Sequence, residues 1–151
     1  MANYRILPFQ ISHGLEIIKH GMNDPLMDLD ATYYDNKIES FAPGLSFTLF
    51  TDNIPIVAAG IFPLWQGTAE GWALSSKEIF NHKIKSAALI KRRMDLLCLN
   101  NKVCRLQTAV KANFDLGIRF AKWLGLNEEG LMVKYGPDGS DYYRMAKIYK
   151  L

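Results

Sequence analysis

The chain has 151 residues, of which 49% are hydrophobic and 22% are charged, an ordinary composition for one globular domain. No apolar run approaches the roughly 18 residues that span a bilayer, so we expect no membrane association. The first ten residues hold no signal-peptide stretch, and two cysteines are too few for a disulfide scaffold. These features predict a single domain over residues 1–151 in a reducing cytoplasm.

The net charge of +3 and the pI of about 8.8 are mild, but the basic residues are unevenly distributed. From Lys77 to Arg105 there are eight basic and two acidic residues, a local charge of +6, whereas the rest of the chain has ten basic and thirteen acidic residues. Two interpretations remain open, a solvated helix face or a surface that meets an anionic ligand or partner. The basic side chains are dispersed around the predicted helix, which disfavours nucleic-acid binding.

The first forty residues are predicted to form a short strand and two helices. The β-prone segment Tyr4–Leu7 is closed by Pro8, and Ile11–His20 then places apolar residues at helical spacing. A second helix is predicted over Asp28–Ser40, where an aspartate caps the first turn and Pro43-Gly44 follows the end.

The next thirty residues are predicted to form an antiparallel meander of three strands. Leu45–Thr51 alternates apolar with small polar residues, which is typical of a half-buried strand. Ile54–Leu64 is almost continuously apolar, which predicts a central strand covered on both faces. Thr68–Leu74 is the third predicted strand, and the turn residues Asp52-Asn53 and Gln66-Gly67 separate the three.

The basic segment is predicted to be a long helix after the meander. Ser75 and Glu78 have the spacing of a capping box, and the helix is predicted to run to about Leu99 with a break near Asn81-His82. Its buried face is predicted from apolar residues three and four positions apart. These residues are Ile84, Ala87, Ile90, Met94 and Leu97.

A strand, a helix and two final strands complete the predicted order. Val103–Lys111 is the strand, and Asn113 opens a helix that ends at Gly125. Apolar residues on two sides of this helix predict that it is sandwiched between other elements. The last strands, Leu131–Tyr135 and Tyr142–Tyr149, are joined by a glycine-rich turn.

The order β-α-α-β-β-β-α-β-α-β-β predicts an α+β fold with a mixed, mostly antiparallel sheet flanked by helices. A βαβ unit follows the meander and should cross over right-handedly. Ten positions are predicted to lie mostly in the core of this fold. They are Phe47, Leu49, Ile56, Ala58, Gly60, Val103, Leu106, Ala109, Phe120 and Trp123.

Five short segments, taken together with this order, carry a resemblance to a known family. They are Gly60–Trp65, Glu70–Leu74, Arg105–Val110, Gly125–Gly130 and Tyr135–Tyr142. From residue 45 onward the sequence resembles the GNAT N-acetyltransferase superfamily. More narrowly, it is similar to the small GNAT-like proteins of bacteriophages of the internal virion (core) protein A type. The resemblance implies a single GNAT-like domain.

The resemblance also implies acetyl-coenzyme A as the acyl donor, held by a glycine-rich loop just before the helix that follows the fourth strand. That loop is missing, because no glycine occurs between Gly71 and Gly117. The residues left at the implied position either offer N–H groups, a hydroxyl and a cation to a phosphate, or simply cap the helix. The cofactor-binding candidates are Ala73, Leu74, Ser75, Ser76, Lys77 and Asn113.

Two catalytic roles are implied as well, a base for the amine and an acid for the departing thiolate. Glu70 is the candidate base, because family members often carry a carboxylate on that strand; the alternative is an outward-facing glutamate. The family's tyrosine four residues before the helix-ending glycine is replaced here by Ala121. Tyr142 is the candidate for the missing acid, although a tyrosine in a strand pair is usually a packing residue.

No metal site is predicted. The histidines at positions 13, 20 and 82 have no ligand spacing with one another or with Cys98 and Cys104, and they are expected at surface or capping positions. The two cysteines are expected to be small buried hydrophobes, since no activating motif lies near them.

Two hypotheses about function follow. The missing glycines and tyrosine favour a phage-encoded, non-catalytic GNAT-fold protein without a cofactor, which acts in virion assembly or is packaged in the particle. Its partners would be phage virion proteins, with a homo-oligomer also allowed, and its location the host cytoplasm or the virion. The complete strand order, Glu70 and the basic helix instead favour an active acetyl-coenzyme A-dependent N-acetyltransferase acting on a small amine or a protein lysine.

Overall fold

A computed structural model describes residues 1–20 and 45–150 of the chain. Its strands are β1 (Tyr4–Pro8), β2 (Ser46–Thr51), β3 (Ile54–Trp65), β4 (Thr68–Ser75), β5 (Arg105–Lys111), β6 (Asn127–Met132) and β7 (Tyr142–Ile148). Its α-helices are α1 (Ile11–Lys19), α2 (Lys83–Asn100) and α3 (Asp115–Trp123), and a short 3-10 helix, η1, covers Lys77–Asn81. The helix predicted over Asp28–Ser40 lies outside the described residues.

The seven strands form one sheet in the order β1-β2-β3-β4-β5-β7-β6. The pairs β1–β2, β2–β3, β5–β7 and β6–β7 are antiparallel, whereas β4 and β5 are parallel and are connected through α2. The predicted α+β fold with a mixed, mostly antiparallel sheet is therefore confirmed. Within the described ranges, no helix is long and apolar enough to cross a membrane.

The chain divides into two compact units. The first comprises Met1–Phe62 and Trp72–Ile90, and the second comprises Pro63–Gly71 and Lys91–Leu151. They are called the first unit and the second unit. The single domain expected over the whole chain stays a prediction.

In the first unit, the prediction of a half-buried β2 is wrong, because every residue of this strand is buried. Its small polar residues fit inside the protein, and the Thr48 hydroxyl lies 2.9 Å from Nδ1 of His13 on α1. A hydroxyl that finds a hydrogen-bond partner can be buried at little cost. Along β2, buried apolar side chains therefore alternate with buried polar ones, and the alternation does not mark one buried and one exposed face.

The turn between β2 and β3 and the nature of β3 agree with the sequence. Asp52 and Asn53 both have positive φ angles, 49° and 70°, as in the type I′ turns that join antiparallel strands. The centre of β3, from residue 55 to residue 61, is buried, as its continuous apolar run predicts. Ala58 of β3 packs with Phe9, Ile17 and Leu74 in one core cluster.

The start of the basic helix differs from the prediction. Ser76, not Ser75, is the capping residue, and its hydroxyl accepts a hydrogen bond of 3.1 Å from the N–H of Glu78. The capped element is only η1, and the predicted break near residue 82 separates it from α2. Ile84 consequently falls in the first turn of α2, where it is 84% exposed rather than buried. The buried positions of α2 are four residues apart: Ser86, Ile90, Met94 and Cys98.

In the second unit, α3 covers one face of the sheet. Ala121 packs with Leu126 and Met145 in a core cluster, and Gly125, with a φ of +98°, ends the helix as predicted. The predicted sandwiching of α3 is wrong, because Trp123 on its other side is 55% exposed. The helix begins at Asp115, with Phe114 as its cap, rather than at Asn113.

Strand β6 starts four residues earlier than predicted. It is the last strand of the sheet order, and its residues from Asn127 to Leu131 are exposed. An edge strand of this kind carries no apolar alternation, so Glu128 and Glu129 gave no strand signal. The apolar residues Val133 and Tyr135, which suggested a strand, lie exposed in the following loop.

The predicted core is correct for seven of ten positions. The buried ones are Phe47, Leu49, Ile56, Ala58, Gly60, Val103 and Leu106. Ala109 and Phe120 are half-buried, and Trp123 is exposed.

Candidate functional site

The predicted coenzyme segment of the first unit has little free hydrogen-bonding capacity. The N–H of Ser76 donates to the carbonyl of Ile56 at 2.8 Å, and the N–H of Lys77 donates to the carbonyl of His20 at 2.9 Å. The next N–H is bonded to the Ser76 hydroxyl. Three consecutive N–H groups are thus directed into the protein, so the segment cannot form the backbone nest that binds a phosphate.

The other predicted coenzyme residues are dispersed. In the first unit Ala73 is exposed, Leu74 is buried in the core cluster, and Ser75 is half-buried. Asn113 belongs to the second unit and is exposed before α3. Lys77 is the predicted coenzyme-binding residue that carries a positive charge, and its side chain is exposed.

A second set of N–H donors lies a few residues further along, at the N-terminus of α2. The N–H of Ser86 donates to the carbonyl of His82 at 2.9 Å, which closes the first turn of the helix. The N–H groups of Lys83, Ile84 and Lys85 therefore have no acceptor within the helix. All three residues are exposed, two of them carry an ammonium group, and the helix dipole adds positive potential.

A contact with strand β1 fixes the turn that precedes α2. The Tyr4 hydroxyl on β1 lies 2.9 Å from Nδ1 of His82, and the two rings meet edge to face. Just inside the helix, the hydroxyl of Ser86 is fully buried and has no hydrogen-bond partner among the described residues. The sequence predicted the break near residue 82. It did not predict that the N–H groups without an acceptor in their own helix would be those of residues 83–85, at the start of α2.

In the second unit, Glu70 has two partners on neighbouring strands. Its Oε1 accepts a hydrogen bond of 3.1 Å from Nη1 of Arg144, and its Oε2 accepts one of 3.0 Å from the side-chain amide of Gln107. Glu70 and Arg144 form an ion pair whose side chains are 27% and 22% exposed. Glu70 is therefore neither a solvated surface residue nor a deeply buried one.

The partners of Glu70 belong to a longer chain of hydrogen bonds. Arg105 donates from Nε to the side-chain carbonyl of Gln107 at 2.9 Å and from both Nη atoms to the carboxylate of Glu129. Because the carbonyl of Gln107 is engaged in this way, its amide NH2 points to Glu70. The hydrogen bonds with Arg105 lower the pKa of Glu129 and raise that of Arg105.

The two predicted catalytic residues lie on the same face of the sheet. Glu70 is paired with Gln107 in register, and alternation along β5 and β7 places Arg144 and Tyr142 on that face. The ring of Tyr135 lies 5.4 Å from that of Tyr142 and 5.9 Å from the guanidinium carbon of Arg144. Tyr142 is buried, whereas Tyr135 is exposed.

The loop that carries Tyr135 is fixed by an ion pair between Lys111 and Asp138, with 3.1 Å between Nζ and Oδ2. Hydrogen bonds from Ser140 and from Lys111 hold the pKa of Asp138 at about 2. Charge and hydrogen bonds therefore order the loop together with the ring contact between Tyr135 and Tyr142.

The histidines and cysteines have structural surroundings. His13 accepts a hydrogen bond from the N–H of Gln10 at the start of α1, as expected for a capping residue. Cys98 is buried, and burial raises the pKa of its thiol. The expectation that Cys104 is buried is wrong, because it lies exposed just before β5. Across residues 1–20 and 45–150, no group of side chains is arranged to hold a metal ion.

Sequence reasoning missed Arg144, Gln107 and Arg105. Their signal was positional: Arg144 is two residues from Tyr142 on one strand, and Gln107 is two from Arg105 on another. Without the register between β4, β5 and β7, nothing connected them to Glu70.

Solved structures match this chain along almost its whole length. Ard1 from Thermoplasma volcanium superposes with a TM-score of 0.80 at 16% identity, over 98% of this chain and 99% of that one. The fold is that of the GNAT acetyltransferases. A GNAT-family acetyltransferase from Bacillus anthracis gives a TM-score of 0.73 at 16% identity, over 98% of this chain and 96% of that one.

A third similar structure is the ribosomal-protein-S18-alanine N-acetyltransferase from Escherichia coli. Its TM-score is 0.76 at 18% identity, and 99% of this chain and 96% of that chain are covered. The sequence itself matches no protein-family model and no curated protein. At these identities the likeness establishes the GNAT fold, with α2 as the helix after the fourth strand.

Proposed function

We propose that the protein is an N-acetyltransferase that transfers the acetyl group of acetyl-coenzyme A to an amine. The observation that carries the proposal is the likeness over at least 98% of the chain to two structures named as acetyltransferases, with TM-scores of 0.73 and 0.76. Fold alone does not determine activity, so the donor groups of each unit supply the further support.

The N-terminus of α2 supports a coenzyme site. Its donors, three N–H groups and the ammonium groups of Lys83 and Lys85, suit the pyrophosphate of acetyl-coenzyme A by charge and by hydrogen-bonding type. The Ser76 and Lys77 N–H groups do not fit this role, because both are bonded inside the protein. Bound acetyl-coenzyme A would supply an activated acyl group, and α2 would hold its phosphates.

Glu70 supports the chemical step. An amine and acetyl-coenzyme A give an N-acetylamine and free coenzyme A: one N–C bond forms, one C–S bond breaks, and the proton lost by the nitrogen ends on the sulfur. Glu70 would accept that proton, since its carboxylate is partly exposed and held in a fixed position by Gln107 and Arg144. Tyr142 remains the candidate for returning a proton to the sulfur.

The alternative function is the non-catalytic role in a phage particle. The engagement of the Ser76 and Lys77 N–H groups leaves the expected glycine-loop position without a phosphate nest, which favours the non-catalytic part of this alternative. Under this alternative the partners are virion proteins, and the protein binds no coenzyme.

Thermal unfolding with acetyl-coenzyme A separates the two functions. A ligand at 100 times its dissociation constant stabilises a protein by about 2.7 kcal/mol, which for a chain of this size raises Tm by roughly 5–10 °C. We expect such a shift for the natural protein, and a smaller one after Lys83→Glu and Lys85→Glu together. Lys122→Glu, an exposed charge reversal on α3, is the matched control. A shift below about 1 °C at millimolar coenzyme, with no release of coenzyme A in the presence of amines, would contradict the acetyltransferase function and favour the non-catalytic alternative.

A further inference from the structure

We propose that the acetyl-acceptor substrate, which would bind to the second unit, is an amine with a carboxylate next to its amino group, such as an α-amino acid. The inference rests on the proposed acetyltransferase function and names its substrate class. It starts from two opposite charges side by side on one sheet face: Glu70 and Arg144, with 3.1 Å between Oε1 and Nη1. Both side chains are partly exposed, so a small molecule can reach them.

An ion pair of this kind is complementary to a zwitterion. The ammonium group of an amino acid can bind the carboxylate of Glu70 and lose one proton through it to solvent, which leaves the neutral amine that attacks, while the carboxylate of the amino acid binds the guanidinium of Arg144. Arg144 contacts Glu70 through Nη1 alone, and a guanidinium has five N–H donors in a planar fork. That fork can hold a second carboxylate by two parallel hydrogen bonds.

Two further cations that the alternation along β5 places on this face are already paired. Arg105 is paired with Glu129, and Lys111 is paired with Asp138. Among the residues that the structure describes, these two pairs therefore add no excess of either sign to the face. An acceptor with one charge of each sign fits this balance.

The chemical step also favours such an acceptor. When Glu70 takes up a proton it becomes neutral, and Arg144 loses its partner in a partly buried position. Leaving a partly buried cation without a counter-charge is costly. An acceptor carboxylate on Arg144 replaces the lost charge, whereas a neutral amine does not.

The geometry of the pair is fixed before the acceptor arrives. Arg105 orients the amide of Gln107, and Gln107 holds the second oxygen of Glu70. Groups positioned in advance in this way bind a matching charge pattern without reorganisation. The spacing between carboxylate and guanidinium therefore selects acceptors whose two charges are separated by few bonds.

The test compares each L-amino acid with its own carboxamide as acceptor, at saturating acetyl-coenzyme A and with equal concentrations of unprotonated amine. The readout is the release of coenzyme A thiol. For the natural protein we expect kcat/KM for the acid to exceed that for the amide by about 10- to 100-fold, the range of a charge-assisted hydrogen bond. Arg144→Lys keeps the positive charge but loses the planar fork, so it should keep only part of this preference. Arg144→Gln should raise KM for the acid more than it lowers kcat, and should bring the ratio close to one.

Lys122→Gln is the matched control, since it removes an exposed cation of the same unit that pairs with Glu128. If Arg144→Gln does not fold, as judged by circular dichroism, the natural protein and Arg144→Lys still decide the question. Equal rates with acids and amides would overturn the inference while leaving the acetyltransferase function intact. If the protein neither binds acetyl-coenzyme A nor releases coenzyme A with any acceptor, the proposed function fails, and this inference fails with it.

Discussion

The ammonium group of Lys147 lies 2.9 Å from Oδ1 of Asp95 and 3.0 Å from the carbonyl oxygen of Leu124. One side chain of β7 thus joins the second half of α2 to the C-terminal end of α3. Tyr149 donates to the same oxygen of Asp95 at 2.7 Å, and Lys91 binds the other oxygen at 3.1 Å. Burial opposes the ionisation of Asp95, but the hydrogen bonds from these three side chains outweigh it and lower the pKa.

Removing the Asp95 carboxylate should destabilise the second unit. Asp95→Ala takes away an acceptor of three hydrogen bonds and leaves the ammonium of Lys147 half-buried without its counter-charge. We expect the free energy of unfolding in urea to fall by about 2 kcal/mol, a moderate value because the carboxylate is partly solvated. Glu128→Ala, which breaks the exposed pair with Lys122, should cost less than about 1 kcal/mol. Equal losses of unfolding free energy in the two variants would show that the contacts of Asp95 stabilise the protein no more than an exposed ion pair does.

The stability of the first unit should depend on the protonation of His13. Burial lowers the pKa of this imidazole, with Glu16 opposing the shift in part, and Nδ1 accepts the N–H of Gln10. Protonation would remove that acceptor. Since the pKa in the folded state is below the unfolded value of about 6.5, the unfolded chain binds more protons in between, and stability falls as pH decreases through this window.

The measurement for His13 is urea unfolding at about pH 7.5 and about pH 5. His13→Gln should show a smaller loss of stability between the two conditions than the natural protein, because it has no imidazole to protonate. The same loss in both proteins would place the pH dependence elsewhere.

A pair of aromatic truncations tests the assignment of the core. Phe47 on β2 is fully buried, so Phe47→Ala should lower the free energy of unfolding by about 3–5 kcal/mol through loss of burial and formation of a cavity. Trp123→Ala removes a larger but exposed side chain and should cost less than about 1 kcal/mol. Urea unfolding of both variants gives the comparison, and a greater loss for Trp123→Ala would mean that α3 is covered after all.

The sequence predicted the elements whose apolar period is strong and missed those whose period is weak. The continuous run of β3 and the change of period at residue 45 gave the meander, and Gly125 marked the end of α3. Trp123 was misplaced, because an apolar residue on a helix does not show whether another element covers it. The boundary of β6 was wrong because an edge strand buries no alternating face.

The candidate site was harder to predict than the fold, because it depends on contacts between strands. The family resemblance singled out Glu70, but its partners Gln107 and Arg144 lie 37 and 74 residues away in the chain. In the first unit, the segment Ser75–Lys77 was singled out because the resemblance implies a phosphate-binding loop there. Its N–H groups bond to Ile56 and His20, which local sequence cannot reveal.

The role of Glu70 as a base can be tested separately from its role as a partner of Arg144. Glu70→Gln keeps the shape of the side chain and one oxygen acceptor but cannot take up a proton. We expect turnover with acetyl-coenzyme A and an amine to fall by about 10²- to 10⁴-fold, with KM for the amine changing much less. The unfolding midpoint should fall only modestly, because the pair is partly solvated and the amide oxygen of the new side chain can still accept a hydrogen bond from Arg144. Glu128→Gln, an isosteric change on the exposed edge strand, should keep full turnover. If Glu70→Gln keeps it too, Glu70 is not the base; if that variant mainly loses stability, Glu70 serves to hold Arg144.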